Sequence, residues 1–574
     1  MHVSNSEIAA IFDRIADLLE IQGDNPFRIR AYRNAARTVQ GLSHSLADMV
    51  AAGESLETLP TIGKDLANKI REIVATGRLR KLEALERAVS PGLVELLKVP
   101  GLGPKRLKAL RDHLRISSVD DLERAASKGL VRQLPGFGIK TEQNILKEIR
   151  GLQSRLRRHL WAEVEETANA LTEYLRAIAG VKRVEMAGSY RRHRETVGDL
   201  DILVTARQNS GVVEAFTHFD AVERVISRGS TRSTVVLRGG LQVDLRVVPQ
   251  VSFGAAWHYF TGNKAHNIAV RVMGVQHGLK INEYGVFDRH GKRIAGRSEQ
   301  EVYAQVDLPW IEPELREHRG ELKAAAAGTL PQLVRLQDLR GDLHCHTIAS
   351  DGHDTLASMA QAAAALGHEY LAITEHSQHL RVANGLSEKQ LLAHCDAIDA
   401  LNEQLDGIHI LKGLEVDILE DGSLDMPDHV LAHLDICLGA IHSAFGLSRQ
   451  KQTWRIIRAM DNRHFNILAH PTARLIGKRQ ACDFDMAQVM DAALERGCYL
   501  ELNAQPQRLD LDDIHCRMAR ERGLKLAIST DAHSTGQLGF LRHGVAQARR
   551  GWLEKHDVLN TLGLKALMQA LERD

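Results

Sequence analysis

The pattern of hydrophobic and polar positions changes twice along the chain, near residue 150 and again near residue 340. Up to residue 150, apolar residues recur every three or four positions, as between Ile8 and Leu19, which predicts a nearly all-helical region. Residues 151–320 mix helical periodicity with short β-rich runs, and from residue 339 onward strands and helices alternate. These patterns predict a multidomain protein that combines α and α/β regions.

The middle and final regions contain the predicted strands. In the middle region a helix from Trp161 to Ala177 precedes four strands, at Val181–Met186, Asp201–Thr205, Thr234–Leu237 and Gln242–Val248. In the final region seven βα units predict a distorted barrel with its site at the C-terminal strand ends. The seven strands are expected at Asp342–His346, Leu371–His376, Ile410–Glu415, Ile436–His442, Asn466–His470, Tyr499–Asn503 and Lys525–Asp531.

A glycine-rich turn recurs three times in the helical region, from Leu59 to Gly63, from Val99 to Gly103 and from Leu134 to Gly138. A turn of this kind opens a helix and leaves backbone N–H groups free to bind phosphate. The pattern is that of helix-hairpin-helix motifs, which grip the DNA backbone without reading sequence; the alternative is three ordinary helix corners. The predicted DNA contacts are Gly63, Gly101, Gly103, Lys105, Gly136, Gly138 and Lys140.

Composition narrows the class of protein. Of the 574 residues, 44% are hydrophobic and 26% are charged, as in soluble globular proteins. The net charge of +1 conceals a basic excess before residue 339 and an acidic excess after it, where most of the 28 histidines also lie. A region that is both acidic and rich in histidine is typical of metal-binding domains. All six cysteines follow residue 340 without a CxxC pair, and neither a signal peptide nor a membrane span is indicated.

Three carboxylates in the middle region suit nucleotidyl transfer. In an extended strand, Asp199 and Asp201 are two residues apart, so their carboxylates face the same side about 6–7 Å apart, and Asp244 lies in a later predicted strand. Such a trio can hold two Mg²⁺ or Mn²⁺ ions. An isolated Asp-x-Asp is usually a surface feature, but here a phosphate-binding turn precedes it. That turn supplies the predicted contacts Gly188, Ser189, Arg192 and Gly198.

With these motifs the sequence resembles family X of DNA polymerases over roughly residues 1–318. The resemblance implies a polymerase beta-like palm and thumb, with a nucleotide-binding element that starts at Tyr259. The implied nucleotide contacts are Tyr259, Phe260, Gly262, Asn267 and Arg271. The chain departs from the residues common in the family at His193, Gln242 and Asn263, where Gly or Ala, a basic residue and Ser are usual.

The first 80 residues resemble the deoxyribose-phosphate lyase domain of that family. By resemblance Lys69 occupies the position of the Schiff-base lysine, and Arg28, Tyr32 and Lys81 match a 5′-phosphate pocket. A lysine performs this chemistry only when burial or nearby cations lower its pKa. Lys69 is therefore interpreted either as a lyase nucleophile or as a solvated helix lysine.

Nine potential metal ligands stand at or just beyond the predicted strand ends of the last region. They are His344, His346, Asp351, His376, Glu415, His442, His470, Asp531 and His533. The set resembles that of the polymerase-and-histidinol-phosphatase (PHP) domain, over about residues 339–574. The resemblance implies up to three ions, bound by His344, His346, Glu415 and Asp531, by Glu415, His442 and His470, and by Asp351, His376 and His533. Imidazole-rich ligands favour Mn²⁺ or Zn²⁺.

The residues beside these ligands are given other roles. Glu375 replaces the more usual Asp and is expected to support the ligands from behind. Cys345 points to the opposite strand face and is expected in the core. Four other histidines of this region are expected not to bind metal: His353, His368, His379 and His433.

The predicted organisation has six parts. Residues 1–85 form a lyase-like helical domain with the first helix-hairpin-helix, 86–150 the helix-hairpin-helix fingers, 151–248 the palm, 249–318 the thumb, 319–338 a linker and 339–574 the PHP domain. The leading hypothesis is a monomeric, cytoplasmic repair polymerase, associated with the nucleoid, that uses dNTPs to fill short gaps with a 5′-phosphate. Its PHP domain would act as a 3′→5′ exonuclease, a 3′-phosphatase or an abasic-site endonuclease. The alternatives are a DNA-tethered small-molecule phosphatase and a non-catalytic DNA-end scaffold.

Overall fold

The computed structural model describes residues 5–40, 46–59, 61–88, 96, 102, 104–139, 141–146 and 158–573. The chain divides into two compact units. One contains residues 1–157 with 239–242, and the other contains residues 158–238 and 243–574. The second unit carries both predicted reaction centres.

The first unit is helical, as the periodicity predicted. Its bounded helices are α1 (Asn5–Gln22), α2 (Pro26–Gln40), α3 (Leu46–Ala51), α4 (Lys64–Thr76), α5 (Arg80–Ala88), α6 (Pro104–Leu114) and α7 (Val119–Ser127). The apolar face of α1 lies in the core, where Ile8, Phe12 and Ile15 are completely buried. Burying an aliphatic or aromatic side chain of this size contributes about 1.5–3 kcal/mol.

Two of the three repeated turns can be described. Gly63 caps the start of α4 in an extended conformation. In the third turn, Gly136 has a left-handed φ of +81°, and Phe137 packs into the core beneath the guanidinium of Arg106, 5.7 Å from its ring centroid. The turn around Gly101 and Gly103 lies outside the described residues, as does Lys140, and nothing is described of the Lys105 side chain.

The palm is a five-stranded sheet flanked by helices. Its strands are β2 (Val181–Met186), β4 (Asp199–Ala206), β5 (Val222–Arg228), β6 (Arg232–Leu237) and β7 (Gln242–Val247), in the order β2-β4-β7-β6-β5. A two-stranded ribbon joins β1 (His159–Leu160) to β3 (Thr196–Val197). The helices are α8 (Trp161–Arg176), α9 (Gly188–Arg191) and α10 (Val212–Thr217). The neighbouring central strands β4 and β7 carry all three predicted carboxylates.

The next segment contains three helices and a three-stranded sheet. They are α11 (Phe253–Thr261), α12 (Lys264–Gln276), β8 (Lys280–Asn282), β9 (Gly285–Phe287), β10 (Arg293–Ala295) and α13 (Glu299–Ala304). The predicted connector that follows contains a helix, α14 (Glu321–Ala326), whose residue Glu321 is fully buried and bonded to His266 at 2.6 Å. The first part of residues 319–338 is thus packed against the preceding segment, while the Val334 N–H donates to the Leu553 carbonyl at 2.9 Å.

The C-terminal region is a parallel seven-stranded sheet with its strands in sequence order. The strands are β11 (Gly341–Cys345), β12 (Tyr370–His376), β13 (His409–Asp417), β14 (Ile436–Ala440), β15 (Ile467–Leu468), β16 (Tyr499–Asn503) and β17 (Leu526–Ser529). The backbone N–H of His346 donates to the carbonyl of Ala532 at 2.8 Å, which joins the first strand to the segment after the last one. The predicted distorted barrel is confirmed.

Helices cover the outside of this barrel. They are α15 (Leu356–Ala365), α16 (Glu388–Asn402), α17 (Asp428–Leu431), α18 (Arg449–Met460), α19 (Met486–Arg496), α20 (Asp513–Arg522), α21 (Leu541–Arg550) and α22 (Leu564–Leu571). Every residue of β12 is buried, as expected for a parallel strand covered on both faces. Among the described residues, none of the helices has the length and apolar character needed to cross a bilayer.

Candidate active sites

The barrel brings the nine predicted ligands to the C-terminal ends of its strands. His344 lies in β11, His376 ends β12 and Glu415 lies in β13. The other six lie in the segments that follow β11, β14, β15 and β17. Parallel strands end at one rim of a barrel, and this is why residues up to 189 positions apart can converge there.

The potential ligand atoms form three overlapping groups, within each of which all ligand atoms lie within 4.8 Å of one another. The groups are His344, His346 and Asp531; His376, Glu415 and His442; and His346, Asp351, His376 and His533. Glu415 lies at the centre: its Oε2 is 3.3 Å from His344 Nε2 and its Oε1 is 2.8 Å from His470 Nε2. The sequence placed His346 and His376 in one group each, whereas both lie where two groups meet.

Three further side chains orient the ligands from behind, and the sequence did not single them out. Glu501 accepts a hydrogen bond from His344 Nδ1 at 2.8 Å, and Asp417 accepts one from His442 Nδ1 at 2.5 Å. Asn503 donates to Asp531 at 3.1 Å. Carboxylates behind ligating imidazoles fix the tautomer and the ring orientation.

The arrangement fits metal ions. Buried nitrogen and oxygen atoms that face the centre, including His344 Nε2, His346 Nε2 and Glu415 Oε2, have no hydrogen-bond partner among the described residues. Leaving such atoms unpaired is costly unless another group satisfies them. His470 and Asp531 have left-handed backbone, with φ of +26° and +53°, a strained conformation that concentrates at functional sites.

The charges of this centre balance one another. Burial disfavours the ionised form of Glu415, but His376, His442 and His344 outweigh it and hold the pKa of that carboxyl well below its usual range. Conversely, burial disfavours charged His376, yet Glu415 and Asp351 raise its pKa to about 10. Carboxylates and imidazoles thus stabilise each other's charged forms.

Glu375 and Cys345 have the surroundings of structural residues. Glu375 accepts hydrogen bonds from the Thr347 N–H at 3.0 Å and from the Ser350 hydroxyl, so it anchors the loop that carries Asp351. Cys345 is completely buried in an apolar cluster. In the described part of the chain, His353, His368, His379 and His433 belong to none of the potential ligand groups.

The palm centre is built differently, from three carboxylates on two adjacent strands. Burial, followed by repulsion from Asp199 and Asp244, raises the pKa of Asp201 to about 7. Burial and the charge of Asp244 also raise the pKa of Asp199. The Thr234 hydroxyl donates to Asp244 at 2.5 Å. A trio in which like charges oppose one another is a fitting site for divalent cations.

The turn before β4 approaches these carboxylates closely. Gly188 has a φ of +63°, and a Cβ at this position would lie 2.3 Å from Asp201 Oδ2. Only glycine allows both the backbone conformation and the close approach. Arg191, next to the turn, forms a bidentate pair with Glu299 at 2.8 and 2.7 Å, which fastens the turn to the thumb.

Comparisons with known proteins find matches both to the polymerase-like part of the chain and to its C-terminal part. Family models match for the helix-hairpin-helix domain (3–79), the SAM-like helix-hairpin-helix tandem (93–150), the DNA polymerase beta palm (158–258), the DNA polymerase beta thumb (256–317) and the PHP domain (342–505). A curated protein of Bacillus subtilis (strain 168), the DNA polymerase/3′-5′ exonuclease PolX, is 38% identical over 571 residues, 99% of each chain. The chain belongs to the PolX family.

Other curated relatives match a smaller share of this PolX-family chain. A probable phosphatase of Thermoanaerobacter sp. (strain X514) is 29% identical over 232 residues, 38% of this chain and 89% of its own length. A probable phosphatase of Acetivibrio thermocellus is 32% identical over 208 residues, 34% of this chain and 81% of its own length. The expected resemblance to family X polymerases and to the PHP domain is confirmed.

The nucleotide-binding element predicted from the PolX resemblance surrounds the end of α11 and the start of α12. Tyr259 and Phe260 lie in α11, and Arg246 stacks over the ring of Phe260 at 4.2 Å. Asn267 donates to the Tyr259 carbonyl at 2.6 Å. Its buried Oδ1 has no hydrogen-bond partner among the described residues, and Arg271 is exposed on the same helix.

Arg192 is engaged within the protein. Its Nε lies 3.0 Å from Glu317 Oε1, and its Nη1 donates to the Thr261 carbonyl. A Cβ on Gly262 would lie 3.1 Å from the same Nη1. Asn263, where family members commonly have Ser, caps α12 and donates to Glu317 Oε2 at 2.9 Å.

In the helical unit, the structure places the residues predicted for 5′-phosphate and lyase chemistry on two helices and the start of a third. Lys69 Nζ pairs with Asp65 and lies 6.0 Å from the centroid of the Tyr32 ring. Tyr32 is buried against Phe12, whereas Arg28 is half-exposed. Lys81 is partly buried in the first turn of α5.

Proposed function

We propose that this protein is a DNA polymerase of family X that fills short gaps during repair and also hydrolyses 3′ ends at its PHP centre. The observation that carries the proposal is the coexistence of three carboxylates on adjacent palm strands with nine potential metal ligands at the barrel rim. The chain that carries them matches a DNA polymerase/3′-5′ exonuclease over 99% of its length. A scaffold protein could lose ligands in either centre without consequence. A phosphatase tethered to DNA would not need the palm carboxylates.

The palm residues would perform nucleotidyl transfer. Asp199, Asp201 and Asp244 would hold two Mg²⁺ or Mn²⁺ ions, which assist deprotonation of the primer 3′-hydroxyl and neutralise charge on the triphosphate. Gly188 leaves space beside Asp201, and Ser189 offers donors to phosphate oxygens. Arg192 would place a guanidinium at the same turn.

The thumb residues would select and orient the nucleotide. Tyr259, Phe260 and Gly262 would border the sugar, and Asn267 would present its unpaired Oδ1 to the edge of the incoming base. Arg271 is exposed one turn further along α12, in a position to reach the template strand. Gly198 would complete the turn that leads to the first carboxylate.

The PHP residues would hydrolyse a phosphodiester or phosphate at the 3′ end. The nine ligands would hold up to three Mn²⁺ or Zn²⁺ ions, which lower the pKa of a bound water and stabilise charge on the phosphoryl group. Glu501 and Asp417 fix the tautomers of His344 and His442, so that each imidazole presents Nε2 to the centre.

The helical unit would bind the DNA backbone on either side of a gap. The supporting residues are Gly63, Gly136 and Gly138 in the described turns, together with Arg28, Tyr32 and Lys81 for a 5′-phosphate; Gly101, Gly103, Lys105 and Lys140 join them from the sequence. Lyase chemistry at Lys69 would require the amine to leave its pair with Asp65. Replacing Asp65 by Ala should therefore increase borohydride trapping of an abasic-site adduct.

Polymerase function is tested with a one-nucleotide gapped duplex that bears a 5′-phosphate. Asp244→Ala should abolish dNTP addition, while Asp220→Ala, a change at a fully exposed carboxylate of the same domain, should not. PHP function is tested with Mn²⁺ and a labelled 3′ end. His344→Ala should abolish release of the end, whereas His429→Ala, at an exposed histidine, should not. Wild-type protein that adds no nucleotide would refute the polymerase proposal.

A further inference from the structure

One helix of the C-terminal domain, α21, lies against the palm turn that carries Gly188, Ser189 and Arg192. Three of its side chains face this turn: His543, Gln547 and Arg550. They are four and three residues apart, so they share one face of the helix. All three are buried, with relative exposures of 5%, 1% and 3%. A polar helical face buried to this extent needs partners across the interface.

The first contact involves the aromatic ring of Trp161. The His543 ring lies edge-on to Trp161 with centroids 5.5 Å apart. Trp161 in turn stacks on Tyr190 at 4.8 Å and lies tilted against His193 at 4.9 Å, and its indole N–H donates to the Tyr190 carbonyl at 2.9 Å. His193, where the family commonly has Gly or Ala, therefore belongs to an aromatic cluster between the palm and the C-terminal domain.

The second contact fixes the end of the turn. The Gln547 amide donates to Glu195 Oε1 at 2.7 Å. Arg474, from the barrel loop that follows His470, donates to the same carboxylate. Glu195 is therefore held by two elements of the C-terminal domain at once.

The third contact reaches Arg192 itself. Arg550 Nη1 donates to the Arg192 carbonyl at 2.8 Å and lies 3.1 Å from Glu317 Oε1. Glu317 bridges Arg550 and the Arg192 side chain, while Asp513 holds the other end of Arg550 at 2.5 Å. Both the backbone and the guanidinium of Arg192 are thus positioned from α21.

We propose that α21 is a positioning element of the polymerase centre, through which the PHP domain holds the phosphate-binding turn in the geometry that receives the dNTP triphosphate. Arg550 is its principal positioning residue. The PHP fold then has a role in nucleotide addition that is separate from its own hydrolytic centre. This inference rests on the proposed polymerase function.

The test compares two adjacent arginines in the full chain. Arg550→Met removes the contacts with Arg192 and Glu317. Arg549→Met is the matched control, because Arg549 also joins the C-terminal domain to the thumb, at Glu314 and Glu312, but does not contact the turn. Steady-state addition of one dNTP to a gapped duplex gives KM and kcat, and Mn²⁺-dependent release of a labelled 3′ end is measured on the same preparations.

Arg550→Met should raise the KM for dNTP about tenfold, the effect of one charge-assisted hydrogen bond, with kcat changed less than twofold and hydrolysis unchanged. Arg549→Met should keep wild-type values. Gln547→Leu, which removes the bond to Glu195 and a longer one of 3.4 Å to the Leu511 carbonyl, should raise KM about threefold and serves as the test if Arg550→Met does not fold. A merely structural role would lower kcat and hydrolysis together and leave KM unchanged.

Equal KM values for wild type, Arg550→Met and Gln547→Leu would overturn the inference, and so would a parallel loss of both activities. Wild-type protein that adds no nucleotide would instead refute the polymerase function on which the inference rests. The two failures are therefore distinguishable in one experiment.

Discussion

The two reaction centres of this chain surround their buried carboxylates with opposite kinds of charge. In the palm, three carboxylates face one another, and burial together with their mutual repulsion raises the pKa of Asp201 to about 7. In the barrel, imidazoles alternate with carboxylates, and Glu415 has a pKa well below its usual range despite complete burial. The first centre has an excess of negative charge, whereas the second is balanced by its own side chains.

This contrast indicates how each centre would acquire its ions. A trio of carboxylates that repel one another suits ions that arrive with a triphosphate and leave with the product. A nine-ligand cluster backed by Glu501, Asp417 and Asn503 suits ions that stay bound and become part of the fold. Disturbing the palm centre should therefore affect activity alone, whereas disturbing the barrel centre should affect the stability of the fold as well.

The largest expected effect concerns the close approach in the palm. Gly188→Ala would place a Cβ 2.3 Å from Asp201 Oδ2, so nucleotide addition should fall on the order of a hundredfold while 3′-end hydrolysis is unchanged. Gly211→Ala is the control, since Gly211 has a similar φ of +67° with nothing within 4 Å of its Cβ position. Similar losses of addition in both variants would show that backbone strain, rather than the carboxylate contact, is responsible.

The second prediction concerns the support of the PHP ligands. Glu501→Gln weakens the acceptor for His344 Nδ1, so the Mn²⁺ concentration for half-maximal hydrolysis should rise about 10- to 100-fold. Nucleotide addition should not change. Glu495→Gln, at a carboxylate that is 75% exposed, is the control. An unaltered Mn²⁺ dependence would mean that Glu501 does not tune the centre.

A third effect separates resident ions from transient ones. Removing divalent ions with EDTA should lower the melting temperature of the wild type by about 5 °C, because ions bound at the barrel centre stabilise the folded state. The same shift is expected for Asp244→Ala and should disappear for His344→Ala, as measured by differential scanning calorimetry. A shift that depends on Asp244 instead would reverse the proposed contrast between the centres.

The smallest effect lies at the boundary between the two regions. Burial, with a contribution from Arg542, lowers the pKa of His543 to about 4 from 6.5. The folded state therefore disfavours the protonated ring. The contribution of neutral His543 to the free energy of unfolding is fully present above pH 6.5 and is lost as the pH falls towards 4. His543→Gln should flatten this decline by on the order of 2 kcal/mol.

Urea unfolding between pH 7 and pH 4.5 measures the decline. The control is His556→Gln, at a histidine that is 74% exposed. An unchanged pH dependence in His543→Gln would indicate that this ring titrates freely in the folded protein.

The features that sequence alone could predict are those that local pattern encodes. Asp199 and Asp201 are two residues apart in a strand, and the barrel ligands follow apolar runs. Both patterns are local in the sequence, so the residues expected to lie together do so in the structure. Glu501 could not be recognised, because an acidic residue inside a strand acquires its role only when the barrel brings it behind His344, 157 residues earlier.

Other features depended on tertiary contacts for the same reason. The edge strand Val222–Arg228 is mostly exposed and has no apolar alternation that would mark it as a strand. Helix α14 lies in a segment that the sequence predicts as a linker. Its first residue, Glu321, is buried where it pairs with His266, a contact that local sequence does not indicate. The polar residues of α21 form no recognisable sequence motif. Their role is evident only from their contacts with the palm.

The central claim is that one chain contains two independent, metal-dependent centres, and a single assay tests it most directly. Wild type, Asp244→Ala and His344→Ala are each given dNTP and Mn²⁺ with a gapped duplex labelled near its 3′ end, and lengthened and shortened products are measured together. We expect Asp244→Ala only to shorten the primer and His344→Ala only to lengthen it. Loss of both products in either folded variant, or retention of both in both variants, would contradict the account.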